Sequence, residues 1–145
     1  MAHVRMVSVF LDTNILIYAA QGKDVKNRHE ISQGLLTSEF GISAQVLAEF
    51  YHNVTRKGDA PLSPEVATEW VDALSRKPCA VVDAELIMGG IDVSRRFQTS
   101  YWDGAIVAAA ERLGADILYT EDLNHGQFYG SVRVLNPFKS HPDFS

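Results

Sequence analysis

The chain has 145 residues, of which 46% are hydrophobic and 21% charged, and its formal net charge is −5. These values predict one soluble globular domain with a substantial core. The lone cysteine, Cys79, excludes an internal disulfide and a Cys-rich zinc site. Neither a membrane-spanning apolar run nor a signal-peptide pattern is present, so cytoplasmic residence and no membrane partner are expected.

The acidic balance is unusual for a nucleic-acid-binding domain, because such domains are generally basic. The basic residues nevertheless occur in short clumps along the chain. Each such group of basic residues could contact a phosphate backbone, and each could equally be the solvated end of a helix. Composition therefore neither supports nor excludes a nucleic-acid partner.

Apolar runs, capping residues and breakers predict the elements in chain order. In the first half they predict a strand, two helices, a second strand and a longer helix capped by Ser43, at 6–11, 14–20, 28–38, 40–42 and 44–56. In the second half, Ser63 and Pro64 begin a helix, and a strand follows at 80–82. Asp83 caps the next helix, and an alanine-rich helix at 101–113 ends at Gly114. Two further strands are predicted at 116–119 and 132–135.

Alternating strands and helices of this kind favour a parallel sheet covered by helices on both faces. The predicted fold is therefore a three-layer α/β/α sandwich with a central parallel sheet of four to five strands. No repeat or linker divides the chain, so residues 1–139 are expected to form a single domain. Residues 140–145 are expected to be a flexible tail.

Four acidic residues stand where apolar segments give way to turns or helices: Asp12, Glu49, Asp103 and Asp122. Ligands of open α/β sheets bind outside the carboxyl ends of the strands, so carboxylates at these positions are placed to converge. Clustered carboxylates repel one another unless a hard cation lies among them. Mg²⁺ or Mn²⁺ is the natural ligand for such a cluster, and phosphate-ester chemistry is its natural function.

Two of these acids also have simple structural explanations. Asp12 or Asn14 suits the N-cap of the following helix. Asp103 follows Ser100 by three residues and so fits a capping box, although bulky Tyr101 and Trp102 beside it suggest a pocket wall.

The other two acids have equally ordinary explanations. Glu49 lies inside a helix, where a solvated surface carboxylate is the commoner situation. Asp122 lies in a polar turn, and its neighbour Glu121 is an equally good candidate for the fourth acid. His125 in the same turn could act as a general base, although a single histidine in a loop is more often a surface residue without a catalytic role.

The segments around these acids, taken together, resemble the PIN-domain ribonucleases, and within them the VapC-type toxins of toxin–antitoxin pairs. The segments are LDTNIL at 11–16, AEF at 48–50, WDGAIVAAA at 102–110 and TED at 120–122. The resemblance extends over almost the whole chain. Each motif alone is weak, whereas the four in this order are fairly specific.

The resemblance implies a Mg²⁺- or Mn²⁺-dependent endoribonuclease acting on an RNA substrate. It implies that Asp12, Glu49, Asp103 and Asp122 bind the metal and carry the catalysis, with support from Thr13, Asn14 and Thr120. It also implies a homodimer and a cognate antitoxin that inserts a segment into the acidic groove.

Other functions remain open from the sequence. A dehalogenase-like phosphatase would need a second acid at position 14, where the chain has Asn14. A receiver domain would need an acidic pair near its start and a late lysine, and no convincing set is present. A PIN-like module that binds RNA or protein without cutting is the main alternative. A DNA-directed nuclease is a further one, because contacts that select the 2′-OH cannot be located from one sequence.

Overall fold

A computed structural model describes residues 6–21, 27–56 and 60–139, so the predicted tail at 140–145 lies outside the described part. The helices are α1 (Thr13–Gln21), α2 (Arg28–Leu35), α3 (Ala44–Val54), α4 (Pro64–Leu74), α5 (Ala84–Phe97) and α6 (Tyr101–Arg112). The strands are β1 (Val9–Leu11), β2 (Ile42–Ser43), β3 (Cys79–Ala80), β4 (Ile117–Tyr119), β5 (Phe128–Tyr129) and β6 (Val132–Leu135). None of the described helices has the length and apolarity needed to cross a membrane.

The main sheet has the strand order β1-β4-β6-β5. Strands β1, β4 and β6 run parallel, whereas β5 pairs antiparallel with β6. Strands β2 and β3 form a parallel pair of their own. Gly41, just before β2, bridges to Phe10, and its carbonyl accepts the Leu11 N–H at 3.1 Å. The β2–β3 pair therefore continues the sheet beyond β1, and the predicted α/β fold is confirmed.

The core consists of apolar side chains from both the strands and the helices. Phe10 and Leu11 of β1 and Leu118 of β4 are fully buried, as expected for strands covered on both faces. Helix α6 is buried at every position of the run 104–110, where mostly small side chains let it pack deeply. The alanine-rich sequence of α6 thus reflects a central position in the fold.

Local signals predicted where helices start better than where they end, since α2 ends at Leu35 rather than at 38 and α3 at Val54 rather than at 56. Ser43, Ser63, Asp83 and Ser100 each accept a backbone N–H from the first turn of their helix. Gly114 adopts a positive φ of 73° just after α6, the left-handed conformation that glycine tolerates best.

The strands differ more from the prediction than the helices do. Strand β1 is three residues long rather than six, and Met6 is 59% exposed. The antiparallel strand β5 was not predicted. Short strands depend on their neighbours for hydrogen bonds, so sequence patterns locate their ends poorly.

Candidate active site

The four acids of interest line one open cleft of about 320 Å³ at the carboxyl end of the parallel strands. Asp12 directly follows β1, and Asp122 follows β4, the strand next to it in the sheet. Glu49 extends from the middle of α3, and Asp103 from the first turn of α6. Adjacent parallel strands end at the same edge, which explains how residues so distant in sequence meet there.

Asp12 is the most buried of these acids, with 6% of its surface exposed. Its Oδ1 accepts the Thr13 backbone N–H at 2.7 Å, and its Oδ2 accepts the Thr120 hydroxyl, also at 2.7 Å. Burial raises the pKa of Asp12 to about 7, and the negative charges of Asp122 and Glu49 add to that rise. The two hydrogen bonds oppose it by favouring the ionised form.

Thr13 connects two of the acids. While its backbone N–H binds Asp12, its hydroxyl donates to Glu49 Oε1 at 2.9 Å. Thr13 is buried; its bond to Asp12 is buried as well, whereas its bond to Glu49 is partly buried. The residue following the first acid therefore fixes the orientation of the second.

Asn14 contacts the fourth acid. Its Nδ2 donates to Asp122 Oδ2 at 3.1 Å. Its Oδ1 is buried and has no hydrogen-bond partner among the described residues. This oxygen is an unused acceptor beside a group of carboxylates, which is a favourable arrangement for a cation or a water molecule.

The structure separates Asp122 from Glu121. Asp122 lines the cleft, and its backbone N–H donates to Thr120 Oγ1 at 3.1 Å. Burial, followed by the charges of Asp103 and Glu121, raises the pKa of Asp122. The Glu121 carboxylate instead accepts the Tyr18 hydroxyl at 2.5 Å and pairs with Arg28 Nε at 3.3 Å. Glu121 is thus occupied by α1 and α2 and is not one of the residues lining the cleft.

The structure shows both features that the sequence suggested for Asp103, the helix cap and the pocket wall. Its backbone N–H donates to Ser100 Oγ at 3.1 Å, so the predicted helix cap is present. Its side chain lines the cleft with the other acids. The N-terminal end of α6 also favours negative charge at this position.

Oxygen donors dominate the cleft, and none of the described residues that line it is cationic. The donor set suits Mg²⁺ or Mn²⁺, which prefer carboxylate and carbonyl oxygens. No three His, Cys, Asp or Glu side chains of the described ranges are gathered closely enough to constitute a metal-binding group. The cleft therefore offers oxygen ligands that suit a divalent cation and carries net negative charge. Its acidic side chains are spread too widely to form a closed metal-binding group.

Two polar lining residues were missed in the sequence, Gln45 and Asn53. They lie four residues before and after Glu49 on α3, so they share its helix face. That spacing was a usable signal. Trp102 lines the cleft as its bulk suggested, whereas His125 does not line it and its Nδ1 accepts the Asn136 N–H at 2.9 Å.

Comparisons with known proteins identify the family of the chain and proteins that share its fold. A family model described as the PIN domain matches residues 9–130. Among the similar solved structures is Mycobacterium tuberculosis VapC20, which is described as a toxin that cleaves the sarcin-ricin loop. It shares 22% sequence identity with this chain and has a TM-score of 0.66. The alignment covers 87% of this chain and 99% of VapC20. No curated protein gives a match.

Two structures of complexes are similar as well. A toxin–antitoxin complex from Klebsiella pneumoniae is 20% identical with a TM-score of 0.66, over 90% of this chain and 98% of that one. The DNA-bound VapBC complex of Salmonella typhimurium is 21% identical with a TM-score of 0.62, over 89% and 97%. At these identities the similarity establishes a shared fold.

Proposed function

Because the chain belongs to the PIN-domain family, we propose that it is a metal-dependent endoribonuclease and the toxin of a toxin–antitoxin pair. The observation that carries the proposal is the convergence of Asp12, Glu49, Asp103 and Asp122 on one cleft, where no described lining residue has a cationic side chain. The raised pKa of Asp12 also indicates uncompensated negative charge, since burial and the neighbouring carboxylates both disfavour the ionised form of Asp12.

The proposed reaction adds one water molecule across a phosphodiester bond of RNA. Asp12, Glu49, Asp103 and Asp122 would hold Mg²⁺ or Mn²⁺, with the unpartnered Asn14 Oδ1 close by as a further oxygen. A divalent cation bound there supplies a Lewis acid that stabilises negative charge on the phosphate oxygens. Thr13 and Thr120 position the acids through their hydroxyls. Cys79 is not one of the residues that line the cleft and has no part in the proposed chemistry.

The similar structures support the toxin role. One is described as a toxin that cleaves the sarcin-ricin loop, another as a toxin–antitoxin complex and a third as DNA-bound VapBC. By analogy, an antitoxin would bind this chain, and an arginine of that antitoxin would find several carboxylates to pair with in the cleft. Homodimerisation and cytoplasmic residence belong to the same proposal, as does the organisation of residues 1–139 as one nuclease domain.

The test is cleavage of single-stranded RNA by the purified chain. We expect cleavage with Mg²⁺ or Mn²⁺, loss of cleavage with a chelator, and recovery when the ion is restored. Asp103→Asn should lower the rate by at least 100-fold, because it removes a charged ligand from the cleft. The fold should persist, as judged by circular dichroism.

Asp92→Asn is the matched control, because Asp92 is an exposed acid on α5 that does not line the cleft. It should cleave as the wild type does. Wild-type rates from Asp103→Asn would contradict the assignment. Binding of RNA without cleavage by the wild type would favour the non-catalytic module.

A further inference from the structure

We propose that Trp102 forms a stacking surface for an unpaired nucleobase of the RNA, next to the phosphate that is cut. The inference rests on the proposed function and adds to it a base-binding subsite. A nucleotide whose phosphate lies among the carboxylates must also place its base somewhere close by. The structure provides a suitable aromatic face beside the cleft.

Trp102 is unusually accessible for its type. Its side chain is 61% exposed, although tryptophan is mostly buried in folded proteins. It directly precedes Asp103 and lines the acidic cleft itself. Its ring packs edge-to-face on Tyr101, with centroids 5.0 Å apart and planes at 72°. The indole is therefore supported by the protein and still presents most of its surface to the outside.

A second cavity, of about 420 Å³, adjoins the acidic cleft. The two share four lining residues: Gln45, Glu49, Asn53 and Trp102. Ala48 and the Trp102 indole provide apolar contacts in this second cavity. The cavity and the cleft are thus parts of one continuous surface on either side of Glu49.

Polar groups at this boundary suit the edge of a base. The Gln45 Nε2 is buried and has no hydrogen-bond partner in the described ranges, so it retains a donor. Asn53 donates its Nδ2 to the Glu49 carbonyl at 2.8 Å, which anchors that amide on the helix. An aromatic face beside amide side chains is the usual combination for unpaired bases, which have two flat apolar faces and a polar edge.

A protein partner fits this part of the surface less well. The more extensive apolar area lies in a third cavity, where Trp102 meets Val82 and Ile87. A second copy of the chain or another protein would be expected to cover that area. The combination of carboxylates, an unused amide donor and one indole favours a nucleotide, and the two cases can be distinguished experimentally.

Binding can be measured through Trp102 fluorescence. The chain has two tryptophans, so Trp70→Phe leaves Trp102 as the single reporter. Adding Asp103→Asn prevents cleavage during titration. Octanucleotides of A, C or U and a mixed-sequence octanucleotide should quench the emission, because a stacked base contacts the indole directly. In the mixed sequence, one abasic position should abolish most of the quenching, whereas abasic sites elsewhere should not.

Cleavage provides the second measurement, in chains that retain Asp103. Trp102→Ala should lower kcat/KM for the mixed-sequence RNA by about 5- to 150-fold, the range expected for loss of one stacked base. Trp102→Phe should retain most of the activity. Phe128→Ala is the control, because Phe128 is equally exposed, at 61%, and lies outside the cleft. Its kcat/KM should not change.

The outcomes separate the two proposals. If the wild type cleaves RNA and Trp102→Ala cleaves it equally well, the base subsite is wrong and the proposed function stands. If Trp102→Ala instead loses self-association in sedimentation with unchanged RNA affinity, Trp102 belongs to a protein interface and the subsite is overturned. If the wild type neither binds nor cleaves any of these RNAs, the proposed function fails and the subsite fails with it.

Discussion

Two threonines connect three acids of the cleft, Asp12, Glu49 and Asp122, in one hydrogen-bonded network. Thr13 donates to Asp12 through its backbone and to Glu49 through its hydroxyl. Thr120 is fully buried, donates to Asp12 and accepts the Asp122 N–H. Hydrogen bonds to a carboxylate favour its charged form, which partly offsets the cost of burying it. Substitution of either threonine therefore affects more than one acid.

The burial of Asp12 leads to a prediction about pH. Its pKa is about 7 in the folded chain, against about 3.9 for an unfolded aspartate. From pH 4 to pH 7 the unfolded chain releases this proton while the folded chain keeps it. Stability of the metal-free protein therefore falls as pH rises through this window, by roughly 1.4 kcal/mol per unit, and levels off above pH 7.

Asp12→Asn removes this titration and keeps a side-chain oxygen for a hydrogen bond. We expect the free energy of unfolding of the variant, relative to wild type, to increase by roughly 2–3 kcal/mol between pH 5 and pH 8. Urea denaturation at four pH values with a chelator present measures it. Asp92→Asn, on an exposed acid, should show no such trend. A constant difference across the range would contradict the buried-acid interpretation.

At the level of elements, α5 and α6 approach each other closely through glycine. A Cβ added to Gly104 would lie 2.5 Å from the Gly90 carbonyl oxygen and 2.9 Å from the Ser94 backbone nitrogen. These are backbone atoms, so they cannot move aside cheaply. The contact matters for the site, because Asp103 and Trp102 belong to the same turn of α6 as Gly104.

Gly104→Ala should therefore destabilise the chain by about 1–3 kcal/mol, by forcing the two helices apart. Gly89→Ala on α5 is the matched control, since its added Cβ would meet only Ala108 Cβ at an ordinary 3.5 Å. That variant should be more stable than wild type by about 0.5–1 kcal/mol, because alanine favours the helix. Equal effects of the two substitutions in urea denaturation would show that helix propensity, rather than close packing, determines both.

Strand β5, which was not predicted, has a recognisable turn signal beside it. Strands β5 and β6 are joined by Gly130 and Ser131, and Gly130 has a φ of 64°. Glycine followed by serine between an aromatic pair and a strand that alternates from Val132 is typical of a two-residue hairpin loop. Only two residues form β5, so its apolar pattern was too short to indicate a strand.

For the whole molecule, the net charge of −5 affects how RNA would bind. Neutralisation of phosphates by a broadly basic surface is the usual source of RNA affinity. Here the cleft is lined by carboxylates, so affinity would depend on a bound cation and on local aromatic contacts. The proposed function is consistent with the charge only if metal and substrate bind together.

The proposed toxin role leads to a prediction for cells. Expression of the wild-type chain in a bacterial host should arrest growth, because uncontrolled RNA cleavage stops protein synthesis. The Asp12→Asn, Asp103→Asn double variant should be harmless at the same protein level, as checked by immunoblotting. Asp92→Asn should remain toxic. Equal arrest by the double variant would show that toxicity does not depend on the acidic cleft.

The sequence by itself determined the features that depend on neighbouring residues. Helix caps such as Ser43 and Ser100 were predicted because capping is a local hydrogen bond. The order of acidic motifs also indicated the fold and the four acids, whose catalytic roles stay predictions. The matched family model then confirmed the family.

Only the tertiary structure decided which groups meet. Asp12 and Thr120 are 108 positions apart, so neither their hydrogen bond nor the raised pKa of Asp12 follows from local pattern. That Asp122 lines the cleft and Glu121 does not is a further example, since Tyr18 and Arg28 bind the Glu121 carboxylate. Burial and pairing are set by the packing of distant segments, and adjacent residues with the same chemistry can therefore face opposite surroundings.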